Sequence, residues 1–343
     1  MKAARLYGID DIRFEDIPVP SVGPGEVLIK TRAALICGTD VRMLRNGAKV
    51  SPLTLGHEIA GEIVELGRDV RNYKVGMSVA VAPNYGCGIC DECVAGRSQN
   101  CVTLRALGVH DDGGFAEYVR VPAAAVAQGN ISPIEGDVSF EEAAIAEPLS
   151  CVYNSFERVR FQPGESVVIV GAGPIGLLHA KVYKLAGAGL VAINDVNEGR
   201  LAACAALESS FAMVGPDSPE AKVLELTRGK GADVVVAAAS NPAVQQLAFR
   251  LAALNGRVIF FGGLPAGKET VALDTNIIHY KQITVTGTSR QSLAQYRKCL
   301  DLIGRRLVDV HGVITKTWPL EKVSDAMGAA ARGEGLKSGF VMS

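Results

Sequence analysis

The sequence has few aromatic residues, no long apolar run and no excess of charge of either sign. Aromatic residues make up 6% of its 343 positions, and only one of them is a tryptophan. Lys and Arg total 35 and Asp and Glu total 36, so the net charge is −1. This balance argues against nucleic acid or an anionic membrane surface as a partner. The chain is nevertheless 48% hydrophobic and long enough for two domains with packed cores.

No segment is long and apolar enough to predict a membrane-spanning helix. The longest segments without Asp, Glu, Lys or Arg are 75–90 and 234–249, and both contain Pro and Asn. The first twenty residues lack the apolar centre of a signal peptide. We therefore expect a cytoplasmic protein with no membrane partner. In that compartment, clustered cysteines indicate metal binding or catalysis before disulfides.

Two kinds of pattern divide the chain. The first 150 residues contain short β-type segments between Pro and Gly, at 13–16, 26–33, 59–66 and 78–82. From about residue 164, predicted strands alternate with helices. The strands are 167–170, 191–195, 233–239, 257–262 and 282–287, and the helices are one that ends at 185, then 197–208 and 241–254. This alternation predicts a parallel sheet with helices on both faces. After about residue 288 the pattern is mixed.

A glycine motif follows the first of these parallel strands. It has the form GxGxxG and comprises Gly171, Gly173, Pro174, Ile175 and Gly176. Such a turn places a pyrophosphate on the N-terminus of the next helix. Asp195 ends the second strand, where a carboxylate binds ribose hydroxyls and favours NAD over NADP. Arg200 could close over the adenine or tolerate a 2′-phosphate, and a glycine-rich turn with a capping aspartate is the alternative interpretation.

Four cysteines lie within fifteen residues, namely Cys87, Cys90, Cys93 and Cys101. Four thiolates complete a tetrahedral zinc shell without an open position, which is typical of a structural site. Gly86, Gly88 and Gly96 allow the loop to curl around an ion. An iron–sulfur cluster or disulfides remain alternatives.

Three further segments of the first domain carry possible metal ligands. They are Cys37-Gly38-Thr39-Asp40, Gly56-His57-Glu58 and Glu147-Pro148-Leu149-Ser150. Taken singly, Cys37 could be a core thiol, His57 a buried structural histidine and Glu147 a helix-capping carboxylate. Their occurrence beside a nucleotide motif and a four-cysteine segment favours a catalytic site.

In combination, these motifs resemble those of the zinc-dependent medium-chain dehydrogenase/reductase family. The resemblance extends over essentially the whole chain and includes GGFAEYV at 113–119. EPLS at 147–150 and NGAKVSPLTLGHE at 46–58 are similar to the branch of sorbitol-, iditol- and galactitol-type polyol dehydrogenases.

The resemblance implies a catalytic zinc held by Cys37, His57 and Glu147, with Glu58 as an outer or exchanging ligand. Cys151 is a competing ligand candidate. Three protein ligands would leave one position for water or substrate. The implied reaction oxidises a secondary alcohol, with Thr39 accepting the alcohol proton and NAD⁺ accepting the hydride.

One position departs from the family pattern. Many relatives have a histidine five residues after the ligand cysteine, at the outer end of the proton relay, and here that position is Arg42. Arginine does not titrate usefully, so the relay has to end elsewhere. Arg42 and Arg45 could face an anionic substrate such as a sugar phosphate, although solvated surface charges are the simpler interpretation.

The expected fold is α/β, with a GroES-like, β-rich catalytic domain at 1–151 and 288–343 and a Rossmann domain at 152–287. We expect two zinc ions and NAD per subunit, a small hydroxylated substrate, and a homo-oligomer, tetramer or dimer. The substrate would be a polyol, cyclitol or sugar derivative. The alternatives are threonine, a simple secondary alcohol, or a noncatalytic nucleotide-binding scaffold.

Overall fold

The chain folds into two compact units, and the computed structural model describes all 343 residues. Unit 1 comprises 1–150 and 291–343, and unit 2 comprises 151–290. The sequence placed the two boundaries after 151 and 287, whereas the contacts divide the chain after 150 and 290. Unit 2 is therefore an insertion between two segments of unit 1.

The first segment of unit 1 consists mainly of short strands. The strands are β1 (Lys2–Gly8), β2 (Asp11–Asp16), β3 (Val27–Leu35), β4 (Leu53–Thr54), β5 (Glu58–Leu66), β6 (Ser78–Val81), β7 (Asn84–Tyr85), β8 (Arg105–Ala106), β9 (Tyr118–Val121) and β10 (Ile131–Pro133). The helices are α1 (Gly38–Asn46), α2 (Asp91–Val94), α3 (Ala123–Gln128) and α4 (Phe140–Ala144), with a 3₁₀ turn at Ser98–Asn100. The next helix, α5 (Ala146–Arg158), begins in this segment and ends in unit 2. The four predicted strands correspond to β2, β3, β5 and β6, and the other strands were not predicted.

Unit 2 alternates strands and helices, as predicted. Its strands are β11 (Ser166–Val170), β12 (Leu190–Asn194), β13 (Ala212–Val214), β14 (Ala232–Ala237), β15 (Ala252–Phe260) and β16 (Thr284–Gly287). Its helices are α6 (Pro174–Leu185), α7 (Glu198–Leu207), α8 (Pro219–Leu226), α9 (Pro242–Leu251) and α10 (Thr275–Lys281). The helix predicted for 241–254 was too long by three residues, because the backbone becomes extended at Ala252 and begins β15 there.

The second segment of unit 1 has the mixed character that the sequence indicated. It contains α11 (Leu293–Gly304), β17 (Ile314–Trp318), a 3₁₀ turn at Leu320–Lys322, α12 (Val323–Arg332) and β18 (Lys337–Val341). None of the helices is both long and apolar enough to cross a membrane.

The main sheet of unit 1 is built around β3. This strand pairs antiparallel with β5, β9 and β18, and the sheet runs in the order β10-β6-β5-β3-β18-β17. Seven of the nine residues of β3 are buried, because the strand is central and both of its faces are covered. At its carboxyl end, Leu35 lies opposite Glu58 on one side and Gly339 on the other. The residues around the end of β3 therefore come from three distant parts of the chain.

The sheet of unit 2 is entirely parallel. Its order is β13-β12-β11-β14-β15-β16, which is the 3-2-1-4-5-6 arrangement of a dinucleotide-binding fold. The strand order reverses between β11 and β14, and a ligand crevice forms at such a reversal. The glycine motif directly follows β11 and therefore lies at this position.

Candidate metal and nucleotide sites

Cys37 lies between the end of β3 and the start of α1, where it is the N-cap residue of the helix. Its backbone N–H donates a hydrogen bond of 2.8 Å to Oδ2 of Asp40, three residues later. Helices commonly begin with a side chain that satisfies an unpaired N–H in this way. The backbone that carries the thiol is thus held in place by its own helix.

Asp40 also holds the segment that carries His57. Its second carboxylate oxygen, Oδ1, accepts a hydrogen bond of 3.2 Å from the backbone N–H of Gly56. The same oxygen lies 3.5 Å from Nδ1 of His57. Asp40 is fully buried. Sequence reasoning missed this role, although the spacing of Cys37 and Asp40 could have indicated the capping interaction.

Gly56 makes the close approach of this segment possible. Its φ angle is +89°, which favours glycine, and a Cβ there would lie 2.3 Å from a ring carbon of the buried Phe115. The chain turns here and enters β5, so that His57 and Glu58 follow at once.

Cys37, His57 and Glu58 form one group of possible metal ligands. One donor atom from each lies within 4.8 Å of the other two. The second carboxylate oxygen of Glu58, Oε2, is buried and has no hydrogen-bond partner. A thiolate, an imidazole and a carboxylate are the donors that zinc prefers. The group therefore fits a zinc ion.

Glu147 lies in the first turn of α5 and is 6% exposed. It is not one of the group within 4.8 Å. Its Oε1 accepts a hydrogen bond of 3.1 Å from Nε2 of Gln291. Burial raises the pKa of Glu147 to about 7, and the nearby charges of His57, Glu58 and Lys337 also act on it. The carboxylate thus belongs to the same charged environment, and its role as a zinc ligand stays a prediction.

Lys337, the first residue of β18, was missed from the sequence. Its Nζ lies 2.6 Å from Oε1 of Glu58, and both side chains are buried. Burial alone would lower the pKa of Lys337, but the charges of Glu58 and Cys37 raise it. The pKa of His57 is likewise raised well above its ordinary value: burial lowers it, but Asp40 and Cys37 outweigh that effect. Negative charge thus accumulates here and would be balanced by a metal cation.

Thr39 and Arg42 lie on the first turns of α1. One guanidinium nitrogen of Arg42, Nη2, donates a hydrogen bond of 3.1 Å to Oγ1 of Thr39. Thr39 is partly buried, two residues after Cys37, and Arg42 is exposed. The guanidinium is thus directed to the hydroxyl of Thr39, to which the family resemblance assigns proton transfer.

The four clustered cysteines lie together in unit 1. Their sulfur atoms are all within 4.8 Å of one another, and none forms a disulfide. The hydroxyl of Thr103 and the N–H of Cys87 lower the pKa of Cys101 to about 6, which favours the thiolate. A Cβ on Gly86 would lie 2.4 Å from the sulfur of Cys93. The loop is therefore closed tightly around a set of four thiols that fits structural zinc.

The glycine motif has the geometry of a phosphate-binding turn. Gly171 has a φ angle of +125°, and a Cβ on Gly176 would lie 1.8 Å from the carbonyl oxygen of Gly171. No atom lies within 4 Å of the Cβ position of Gly173, so this side of the backbone is open to a ligand. Pro174 begins α6 with Ile175 after it, and Gly173 is the N-cap residue. These residues fit a dinucleotide.

Asp195 follows β12 and faces the glycine motif. Its Oδ2 accepts a hydrogen bond of 2.6 Å from the N–H of Ala172, and its Oδ1 accepts one of 2.8 Å from the N–H of Asn197. Arg200 lies in the first turn of α7, where its N–H donates to the side chain of Asn197. The structure thus brings Asp195 to the turn, and its role toward a ribose stays a prediction.

The remaining cysteines lie outside both groups of possible ligands. Cys204 and Cys299 are buried. Cys151 lies on α5 after Glu147 but is not part of the group with Cys37.

Comparisons with known proteins identify relatives of both parts of the chain. The family model "Alcohol dehydrogenase GroES-like domain" matches residues 23–131, and the model "Zinc-binding dehydrogenase" matches residues 174–305. The chain is 33% identical over 334 residues to a sorbitol dehydrogenase of Bacillus subtilis, covering 95% of this chain and 92% of the relative. It is 34% identical over 328 residues to an L-threonine 3-dehydrogenase of Bacillus velezensis, covering 94% and 92%.

A similar solved structure is that of a protein from Sinorhizobium meliloti 1021, assigned to the zinc-binding dehydrogenases and bound to NADP. The two structures superpose with a TM-score of 0.90 at 30% identity, over 99% of each chain.

We expect the substitution Asp40→Asn to weaken metal binding at Cys37 and His57. The side-chain amide of asparagine would direct an N–H group at one of the two backbone N–H donors from which the carboxylate now accepts hydrogen bonds. The loss of that hydrogen bond would lower the free energy of unfolding by about 1–3 kcal/mol. Loss of such an outer contact typically lowers metal affinity about 10- to 100-fold. Chelator competition followed by zinc analysis measures the affinity. The exposed Asp16→Asn is the control, and equal zinc retention in the two variants would contradict the assignment.

We expect Gly86→Ala to open the cysteine loop, because the new methyl group would overlap the sulfur of Cys93. The variant should lose about one zinc ion per chain relative to the unmodified protein, and its thermal unfolding temperature should fall. Elemental analysis and calorimetry measure both. Gly215→Ala is the matched control, since no atom lies within 4 Å of its Cβ position. Full zinc content in Gly86→Ala would be incompatible with a metal at this loop.

Proposed function

The chain belongs to the zinc-binding dehydrogenase family, and we propose that it oxidises a secondary alcohol of a polyol, cyclitol or sugar derivative with NAD⁺ as the hydride acceptor. The observation that carries the proposal is the group of Cys37, His57 and Glu58, with the buried Glu147 in the same charged environment. The noncatalytic scaffold is disfavoured, because each of these side chains is present.

In this proposal Cys37, His57 and Glu147 hold the catalytic zinc, and Glu58 is an outer or exchanging ligand. Zinc, when bound, supplies a Lewis acid that lowers the pKa of an alcohol. Lys337 keeps Glu58 in place through its 2.6 Å ion pair. The carboxylate of Asp40, 3.5 Å from Nδ1 of His57, helps to orient the imidazole.

Thr39 receives the alcohol proton. Its Oγ1 already accepts one hydrogen bond from Arg42, so the second lone pair is the one available to the substrate. Arg42 cannot accept the proton in turn, since a guanidinium remains charged. The hydroxyl proton of Thr39 therefore leaves to water or to a ribose hydroxyl.

The cofactor proposal rests on the turn at Gly171 to Gly176 and on Asp195. Bound NAD⁺ supplies the hydride acceptor. The carboxylate of Asp195 accepts hydrogen bonds from ribose hydroxyls, and it would repel a 2′-phosphate. We also propose that Arg200, in the first turn of α7, lies near the adenine end of the cofactor. We therefore propose NAD, although the similar protein from Sinorhizobium meliloti was solved with NADP.

Two further features complete the proposal. The sheet of unit 2 ends at β16, where Val285 is exposed, and Tyr280 of α10 is 73% exposed. An open apolar edge favours association, so we propose a homo-oligomer, either a dimer or a tetramer. We also propose a cytoplasmic location, where the four clustered thiols stay reduced and free to bind zinc.

We expect zinc-replete protein to reduce NAD⁺ with one class of hydroxylated compound. The panel contains neutral polyols, sugar phosphates, sugar acids, cyclitols, L-threonine and simple secondary alcohols. Glu147→Ala should abolish the activity and lower the zinc content from two ions to one, because a ligand of the catalytic zinc is removed. The control is Glu65→Ala, on the exposed part of β5. Undiminished activity in Glu147→Ala would refute its role, and one zinc in the unmodified protein would favour the scaffold.

We expect Asp195→Ala to reduce the preference for NAD over NADP about 10- to 100-fold, measured as the ratio of kcat/KM values. The substitution removes both the acceptor for the ribose hydroxyls and the charge that repels a 2′-phosphate. Asp217→Ala, on an exposed position of unit 2, serves as the control. If the ratio does not change, the assignment of Asp195 is wrong.

A further inference from the structure

The segment between the two ligand-bearing residues Cys37 and His57 carries an unbalanced positive charge. It contains one acid, Asp40, and three bases, Arg42, Arg45 and Lys49. Both oxygens of Asp40 are used inside the protein, and the residue is fully buried. The three bases are exposed, and none of them forms an ion pair. The surface beside the proposed zinc site therefore presents cations without acidic partners.

The fold accounts for the position of one of these bases, Arg45, but not for that of Arg42. Arg45 lies in the last turn of α1, where the helix dipole favours a cation, and it donates to the carbonyl of Ala331. Arg42 lies one turn earlier, and its guanidinium reaches back toward the start of the helix, where the dipole disfavours a cation. Packing and the dipole thus account for Arg45 but not for Arg42.

A hydrogen bond places the positive charge of Arg42 next to a residue of the proposed reaction. Its guanidinium donates one hydrogen bond, to Oγ1 of Thr39, and the side chain is exposed, so its other N–H donors are available to a ligand. Thr39 is the hydroxyl that would receive the proton of the substrate. A group bound by the remaining donors of Arg42 would thus lie close to the reacting carbon.

We propose that Arg42 binds an anionic group of the substrate, a carboxylate or a phosphate, so that the substrate is a polyhydroxylated acid or a sugar phosphate rather than a neutral polyol. The inference rests on the proposed dehydrogenase function and deepens it. A guanidinium offers paired donors that match the oxygens of either anion. The anionic group would sit on a carbon near the oxidised one, since Arg42 and Thr39 are in direct contact.

The test compares matched substrates with the zinc-loaded full chain and NAD⁺. The neutral arm is galactitol and sorbitol, the phosphate arm is galactitol 1-phosphate and sorbitol 6-phosphate, and the carboxylate arm is L-galactonate and D-gluconate. We expect kcat/KM to be at least about tenfold higher for one anionic arm than for the neutral arm. Added salt should lower kcat/KM for that arm and leave the neutral arm unchanged, because salt screens the attraction.

The variant Arg42→Gln should lower kcat/KM about 10- to 100-fold more for the preferred anion than for the neutral arm, mainly through KM. Arg42→Lys, which keeps the charge, should recover part of the loss. Arg45→Gln is the matched control, from the same helix, and should behave like the unmodified protein. Zinc content and circular dichroism verify that each variant is folded.

Several results would overturn the proposal. Equal loss for neutral and anionic substrates in Arg42→Gln would mean that Arg42 acts on the cofactor or on Thr39 alone. Equal use of neutral and anionic substrates by the unmodified protein would exclude anion recognition.

Calorimetric binding of galactitol 1-phosphate and L-galactonate, without NAD⁺, separates this proposal from the proposed function. Binding that depends on Arg42, without oxidation of any compound, would support the anion site and refute the dehydrogenase activity. Neither binding nor oxidation would refute both.

Discussion

The candidate active site depends on one buried carboxylate, that of Asp40. One oxygen accepts the N–H of Cys37 and the other accepts the N–H of Gly56, so a single side chain joins the end of β3 to the turn before β5. A buried charge of this kind is tolerated only when hydrogen bonds satisfy it. The thiol and the imidazole are therefore positioned by a group that would not itself contact the metal. Loss of this group would separate the two ligands even if both remained in the sequence.

The charges around this carboxylate define what the site can hold. Cys37, Asp40, Glu58 and Glu147 can all be negative, whereas only His57 and Lys337 provide positive charge in return. An uncompensated buried charge is costly, and protonation of Glu147 is one way to avoid it, as its pKa of about 7 indicates. A bound divalent cation is the other way. Metal binding and the protonation of the site are therefore linked, because the ligands must release protons to bind the ion.

The parts of the protein that the sequence predicted are those with local patterns. The glycine motif, the cysteine spacing and the alternation of strands and helices in unit 2 lie within short stretches, and chain geometry converts them directly into structure. The role of Asp40 could in principle have been predicted, since it caps the helix that Cys37 begins. The contact between Lys337 and Glu58 could not, because 279 residues separate them and only the pairing of β18 with β3 brings them together. The short strands of unit 1 were missed for the same reason: two-residue strands such as β4 exist only through pairing with a distant partner.

The insertion of unit 2 has a consequence for how the protein is made. During synthesis on the ribosome, Cys37, His57 and Glu58 emerge long before Lys337, and the whole of unit 2 is translated in between. Unit 2 is continuous and can fold as soon as it has emerged. The nascent unit 1 lacks β17 and β18 until the end of the chain has been translated, so during this time Glu58 lacks its partner Lys337. A zinc ion captured early would stabilise this incomplete sheet, and metal supply could therefore influence the yield of folded protein.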